Sequence, residues 1–324
     1  MKDVAGRNSG IDLLRVVLML AICMLHAVNY SGLRYGFENR FWGWGVAGFA
    51  FISGYYGVRF RLSKLIRLWM LALFCVCVPF AMISILEGRW NVRVFRRMLF
   101  GNWYLNAYTM LMLLSPLLNR GLDRLEEMGR AWALPFVLLM FWSWGSEAYW
   151  VRECVPRVPG IGGQSFFTLF YAYVIAHWFR ERDVFVDLCN DKGKLILGFL
   201  FCVCCMPVFG GANGFGALVF VMLLFRFFER LTLPKRCARI VNMIVPSIFA
   251  VYLLHTNAFG YKCLCRISFW VIDLGCPQYV AFASAAALVF GGCVCIDWMR
   301  RMALLPMRSF FVRIDASVDR RGCV

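Results

Sequence analysis

Apolar residues in this chain run together in long stretches, near residues 11–30, 41–58, 66–86, 103–119, 131–150, 164–179, 195–209, 214–231, 242–260 and 278–298, and charged residues collect between them. Most of these stretches approach the roughly 20 residues with which a helix crosses a hydrocarbon core of about 30 Å. The pattern predicts an all-α fold, a polytopic transmembrane helical bundle of about ten helices. Pro79, Pro116, Pro135, Pro207 and Pro246 fall inside several stretches. A bundle tolerates them where neighbouring helices satisfy the freed backbone groups. No inverted internal repeat of the kind many transporters carry is visible by eye.

Charge placement orients the bundle. Lys and Arg accumulate in cytoplasmic loops, and with the N-terminus inside, 25 of the 35 fall in inner segments and 10 in outer ones. Both termini are therefore expected in the cytoplasm, with a transmembrane domain over 1–301 and a short basic amphipathic tail over 302–324. The outer loop from Glu87 to Asn102 runs against the trend, because it carries Arg89, Arg93, Arg96 and Arg97. Val92, Phe95, Leu99 and Phe100 interleave with these at helical spacing, which predicts an interfacial amphipathic helix. Contact with an anionic substrate is the other reading of this stretch. Trp42, Trp44, Trp103, Trp142, Trp144 and Trp150 lie near span ends, as an aromatic belt requires.

Composition agrees with a membrane protein: 61% of the 324 residues are hydrophobic and only 16% charged, against roughly 25% charged in soluble domains. The formal net charge of +17 would point to nucleic acid in a soluble chain, but here it is the ordinary product of the positive-inside rule, and no nucleic-acid partner is expected. The 15 cysteines include Cys75, Cys77, Cys202, Cys204, Cys205, Cys293 and Cys295 within apolar stretches, where Cys acts as a small hydrophobe. No Cys and His combine at a zinc-site spacing, so no metal is expected. The first stretch lacks a small-residue cleavage site and is expected to stay as a first helix in a multi-pass protein of the inner or plasma membrane.

The chemistry must then come from polar residues within the spans. In the first, Arg15 and His26 stand 11 residues apart; at about 100° per residue this is three turns plus roughly 20°, which puts both on one face about 16 Å apart along the axis. Asp12, Met19, Ile22 and Asn29 share that stripe. A cation at one end and an imidazole further along suit a polar passage, and His is the side chain best able to accept and return a proton near neutral pH. Ionisable groups at such depth are costly enough that function is the default expectation.

At Arg15-x10-His26 the sequence resembles the acyltransferase-3 family of bacterial membrane O-acyltransferases that decorate cell-surface glycans. Ile11-Asp12-Leu13-Leu14-Arg15 is similar to the family's opening motif, and Phe49-Ala-Phe-Ile-Ser53-Gly54-Tyr55 to its second helix. Lys64-Leu-Ile-Arg67, with Arg59 and Arg61 upstream, matches a basic pair spaced three apart. Trp103-Tyr104 through Ser115-Pro116-Leu-Leu-Asn119 resembles the fourth helix, Ser247 through Tyr252 and His255 the ninth, and Asp297-x-x-Arg300 the close. His177 departs from the pattern, which commonly has a small residue there; with Trp178 and Arg180 it is expected to anchor at the interface.

The resemblance implies an acyl-CoA co-substrate on the cytoplasmic side, no bound cofactor, and a glycan or lipid-linked sugar as acceptor, with His26 as base or transient acyl carrier. Physical chemistry points the same way, since CoA is a polyanion and Arg15, Arg59, Arg61, Lys64 and Arg67 form a cationic inner mouth suited to phosphate oxygens; an ordinary positive-inside loop accounts equally for the loop cations. Tyr252 and His255 share a helical face, and His255 either binds acceptor hydroxyls or donates to a backbone carbonyl. Ser53 is read as an acyl acceptor or, as such a Ser more often does, as a close-packing or back-bonding residue. Trp103 and Tyr104 serve either the belt or as a platform for sugar rings. With no room for the extra soluble domain of some relatives, acceptor handling is expected in the membrane part or through a partner. A reading from a different class is a transporter or flippase for an acyl group or lipid-linked glycan, using the same passage without covalent chemistry.

Overall fold

The apolar stretches fold as helices, and no strand occurs among the described residues. These are 8–30, 44–88, 90–134, 166–205 and 215–303 of a computed structural model of the chain. Most of the expected span over 131–150, the tail beyond 303, Arg89, Trp42, Trp142, Trp144 and Trp150 lie outside them.

In chain order the helices are α1 (Ser9–Tyr30), α2 (Trp44–Tyr56), α3 (Leu62–Glu87), α4 (Val92–Phe100), α5 (Trp103–Glu127), α6 (Phe166–Arg180), α7 (Val186–Asn190), α8 (Lys192–Cys205), α9 (Phe215–Arg230), α10 (Lys235–Ile244), α11 (Ile248–His255), α12 (Ala258–Asp273) and α13 (Gln278–Ala303). Between α10 and α11 the single turn Val245–Ser247 tightens to 3₁₀ geometry at Pro246, where the missing proline N–H removes an i to i−4 bond. Among the described residues, four segments are long and apolar enough to cross a membrane: Ser9–Asn29, Leu62–Ile85, Lys235–His255 and Gln278–Ala303. In their described parts α2, α6, α8 and α9 span 13, 15, 14 and 16 residues, short of the roughly 20 that a perpendicular crossing needs.

Two local departures from the expected pattern have clear causes. Residues 261–277, expected as an outer loop holding Lys262 and Arg266, are largely helical, because Asn257 caps α12 by accepting from the Phe259 and Gly260 N–H groups at 2.9 Å each. The amphipathic helix does form as α4, capped by Asn91. It does not lie apart from the spans, however. A left-handed turn at Gly88 (φ 63°) ends α3, and α4 runs back along it, with the Phe95 ring 5.1 Å from Phe80 and the Phe100 ring 5.9 Å from Trp69.

The chain divides into two compact units, one of residues 1–58 and 103–245 and the other of 59–102 and 246–324. In the first, α2 packs on α6, α9 and α1. Its centre is aromatic: Phe51 meets Phe179 and Phe225 edge-on at 5.3 and 5.4 Å. Trp44, placed in the belt by sequence, turns inward against Phe220. The α2–α6 contact depends on Gly54, where a Cβ would stand 2.3 Å from the Tyr173 carbonyl oxygen and 2.7 Å from its Cα. Backbone cannot swing aside as a side chain can, so Gly54→Ala is expected to force the helices apart and cost about 1–3 kcal/mol or more. A lowered thermal unfolding midpoint in detergent checks this. In the second unit, α13 packs on α12 and α11, and α3 on α11 and α4.

Candidate functional site

Helix α1 carries the residues singled out by the sequence. Asn8 starts it by accepting from the Gly10 and Ile11 N–H groups at 2.9 and 3.2 Å, and the helix is unbroken over 22 residues. That continuity gives Arg15 and His26 the shared face expected of their spacing. Met19 and Ile22 on the same stripe are buried, His26 is half-buried, and Asn29 is exposed. At the start of the stripe the Asp12 side chain, 1% exposed, accepts from Arg15, whose own side chain is 29% exposed. A guanidinium has five N–H donors, so one bond to a buried carboxylate orients the group and leaves its fork able to grip an anion.

Around this pair the first unit is polar at the end of α2. The Tyr56 hydroxyl lies in the electrostatic field of Arg15, Glu229 and Asp12. Ser53 donates back to the Phe49 carbonyl at 2.9 Å, the back-bonding role expected of a helical serine, and its hydroxyl also meets that of Tyr108. Tyr104 is buried and stacks on Tyr108 at 6.2 Å, with Trp103 edge-on to it at 5.6 Å.

Several residues that hold this region were missed by sequence reasoning. Arg226, one of the 25 cations counted to inner segments although it stands within the 214–231 stretch, is helical and only 6% exposed. Its guanidinium donates to the carbonyls of Phe179, Arg182 and Val184 and, at 2.8 Å, to Glu229, whose other oxygen accepts from Tyr55 at 2.7 Å. The Phe179 carbonyl belongs to the last turn of α6, where helix geometry leaves acceptors without intrahelical partners and the dipole favours a cation, and Arg182 lies in the turn that follows. A second knot closes the end of α2: the Val58 N–H donates to the Tyr173 hydroxyl (2.9 Å), that hydroxyl donates to Asn119 Oδ1 (2.6 Å), and Asn119 Nδ2 donates to the Val58 carbonyl (3.0 Å). His177 is 3% exposed and its Nε2 meets Asp123 at 3.0 Å, so it joins α6 to α5. Three residues further along α5, Glu126 takes both terminal nitrogens of Arg182, at 2.8 and 3.2 Å.

The second unit holds the remaining sequence-predicted residues. Arg59, Arg61, Lys64 and Arg67 are exposed at the entry to α3. Cations there oppose the positive end of the helix dipole, and no described carboxylate pairs with Arg59, Arg61 or Lys64. Helix stability therefore does not explain them, whereas an anion at that end would be drawn by both the dipole and the side chains. His255 is fully buried, and its Nδ1 donates to the Val251 carbonyl at 2.7 Å. Since a carbonyl only accepts, this fixes the Nδ1–H tautomer and makes Nε2 the acceptor nitrogen of the neutral ring. Tyr252 lies edge-on to it at 5.9 Å and hydrogen-bonds Asn102. Asp297, with its side chain fully buried, binds Arg300 at 2.7 Å and Arg301 at 3.0 Å, and Arg301 reaches the buried Ser247 hydroxyl at 2.8 Å.

No curated protein and no solved structure matches the chain. A family model described as an acyltransferase domain matches residues 8–302, from the Asn8 cap of α1 to the end of α13. With nearly its whole length covered, and with helices long and apolar enough to cross a bilayer, the chain belongs to the acyltransferase-3 family and is a membrane acyltransferase.

Proposed function

We propose that this acyltransferase moves an acyl group, acetyl in the first instance, from cytoplasmic acyl-CoA to a hydroxyl of a cell-surface polysaccharide or lipid-linked sugar. The observation that carries the reading is the unbroken α1, which keeps His26 three turns from Arg15 on one face while Asp12 orients the guanidinium. In the proposed step His26 takes the proton of the acceptor hydroxyl as its oxygen attacks the thioester carbonyl; the new C–O bond forms, the C–S bond breaks, and the CoA thiolate leaves with the proton passed on by the imidazolium. Arg15 fixes the donor by an anionic group. Arg59, Arg61, Lys64 and Arg67 attract the CoA phosphates, which supply the negative charge that the entry to α3 lacks. Such a reaction needs no metal.

The purified protein in detergent, given acetyl-CoA and a mixture of bacterial surface glycans, is expected to release free CoA and acetylate sugar hydroxyls in step. Movement of acyl groups or lipid-linked sugar across a sealed vesicle with no CoA released would replace this reading with transport.

A further inference from the structure

The arginines of α4 are unexplained by either the fold or the proposed transfer. Arg93, Arg96 and Arg97 are exposed, and at helical spacing they fill an arc of about 100°. None has an ion pair among the described residues. Arg93 stands in the first turn, where a cation opposes the dipole. The opposite face is seated on α3 through Phe95 against Phe80, with Trp90 also on Phe80 at 5.7 Å.

The direction of α4 decides what this face is for. Its ring contacts step from Phe80 to Trp69 as the chain advances from Phe95 to Phe100. The apolar helix beside it is a membrane-crossing candidate that ends at Ile85. At about 1.5 Å per residue, Trp69 lies about 24 Å back from that end and Phe80 about 8 Å. The three arginines are thus carried alongside the span and not laid flat beyond it. Cations at such depth persist where they meet water or a counter-charge. Val92 and Val94 stand exposed at the two margins of the same face, with Trp90 exposed just before the helix and Ile85 exposed on α3. A surface that is cationic in the middle and greasy at its edges is complementary to an amphiphile with an anionic group.

We infer that the Arg93, Arg96 and Arg97 face of α4 binds the phosphate of a polyprenyl-linked sugar, with its isoprenoid chain along Trp90, Val92 and Ile85. This rests on the acyltransferase reading only in calling that lipid the acceptor; the binding itself does not require transfer. The three guanidinium groups grip phosphate oxygens through charge-assisted bonds, and the seat of α4 on α3 holds the sugar beside the span.

Native mass spectrometry of the full chain, titrated with a long-chain polyprenyl phosphate, tests it. The wild type is expected to retain this lipid at least about tenfold more tightly than phosphatidylglycerol, and the R93Q/R96Q/R97Q variant to lose about that factor or more. The R93K/R96K/R97K variant keeps the charge and should keep most of the binding, which gives a measurement even if the glutamine variant does not fold. Equal retention of phosphatidylglycerol would make the face a general lipid contact and overturn the inference. So would inorganic pyrophosphate displacing the lipid completely, or unchanged binding in the glutamine variant. The titration contains no acyl-CoA, so a protein that binds the lipid but releases no CoA would refute the proposed transfer while leaving this site standing.

Discussion

His26→Ala is expected to reduce acceptor-dependent release of free CoA by about 10²–10⁴-fold, the usual worth of a positioned general base. The protein should remain folded, because His26 is half-buried at the side of an α1 that is anchored elsewhere, by the Asn8 cap and by packing on α2, α9 and α10. Two further measurements separate base from acyl carrier. A base gives no burst of CoA without acceptor; a carrier gives one equivalent and leaves the acyl group on the ring, where mass analysis of a peptide containing residue 26 finds it. His26→Gln preserves polarity and much of the volume but cannot cycle a proton, so it should fail as Ala does. Turnover surviving both substitutions would remove His26 from the mechanism even though the family assignment stands.

Replacing Arg226 is expected to have the largest effect on stability. In Arg226→Met the carbonyls of Phe179, Arg182 and Val184 lose their common donor, and the Glu229 carboxylate keeps Tyr55 as its partner among the described residues. Breaking a buried ion pair by removing one member costs about 3–5 kcal/mol, and carbonyls stranded at a helix end add to it. Arg226→Lys should recover little, since one ammonium cannot reach acceptors spread around a planar fork. The flat guanidinium also covers the Phe179 ring at 4.1 Å, a contact that lysine makes less well. Measured by unfolding in increasing denaturing detergent, both variants should melt early, with hydrogen exchange rising first around residues 179–186. A midpoint equal to wild type would show that the knot contributes nothing.

Much of this molecule was legible in its residue pattern where the cause is local. The helical stripe of Arg15 and His26 needs only the helical period and an uninterrupted segment, and α1 supplies both. Alternating arginine and apolar residues announced α4, because a nine-residue helix with one face of each kind writes its period directly into the chain. Its path back along α3 was not legible, since that follows from a glycine turn and two aromatic contacts. Helix α12 was missed because Lys262 and Arg266 dilute its apolar character; the signal was Asn257, a capping residue just before it. Arg226 passed as one more inner-segment cation beside Arg230 and Lys235, although Glu229 three residues on and phenylalanines on both sides marked it as interior. The Tyr173, Asn119 and Val58 knot joins positions 54 and 115 residues apart, and no local pattern encodes such a meeting.

Three of the helices share an economy of charge. Asp12 with Arg15 on α1, Arg226 with Glu229 on α9, and Asp297 with Arg300 on α13 are each three residues apart on a single helix. An isolated cation or carboxylate at the middle of an inserting segment costs about 2.5–3.5 kcal/mol. Opposite charges one turn apart can meet as soon as the helix has formed, before any other helix is in place. Within each pair the two charges then offset one another on their own helix, and neither the guanidinium nor the carboxylate depends on a distant helix for its counter-charge. The order in which these helices leave the ribosome is thereby freed from the order in which they pack.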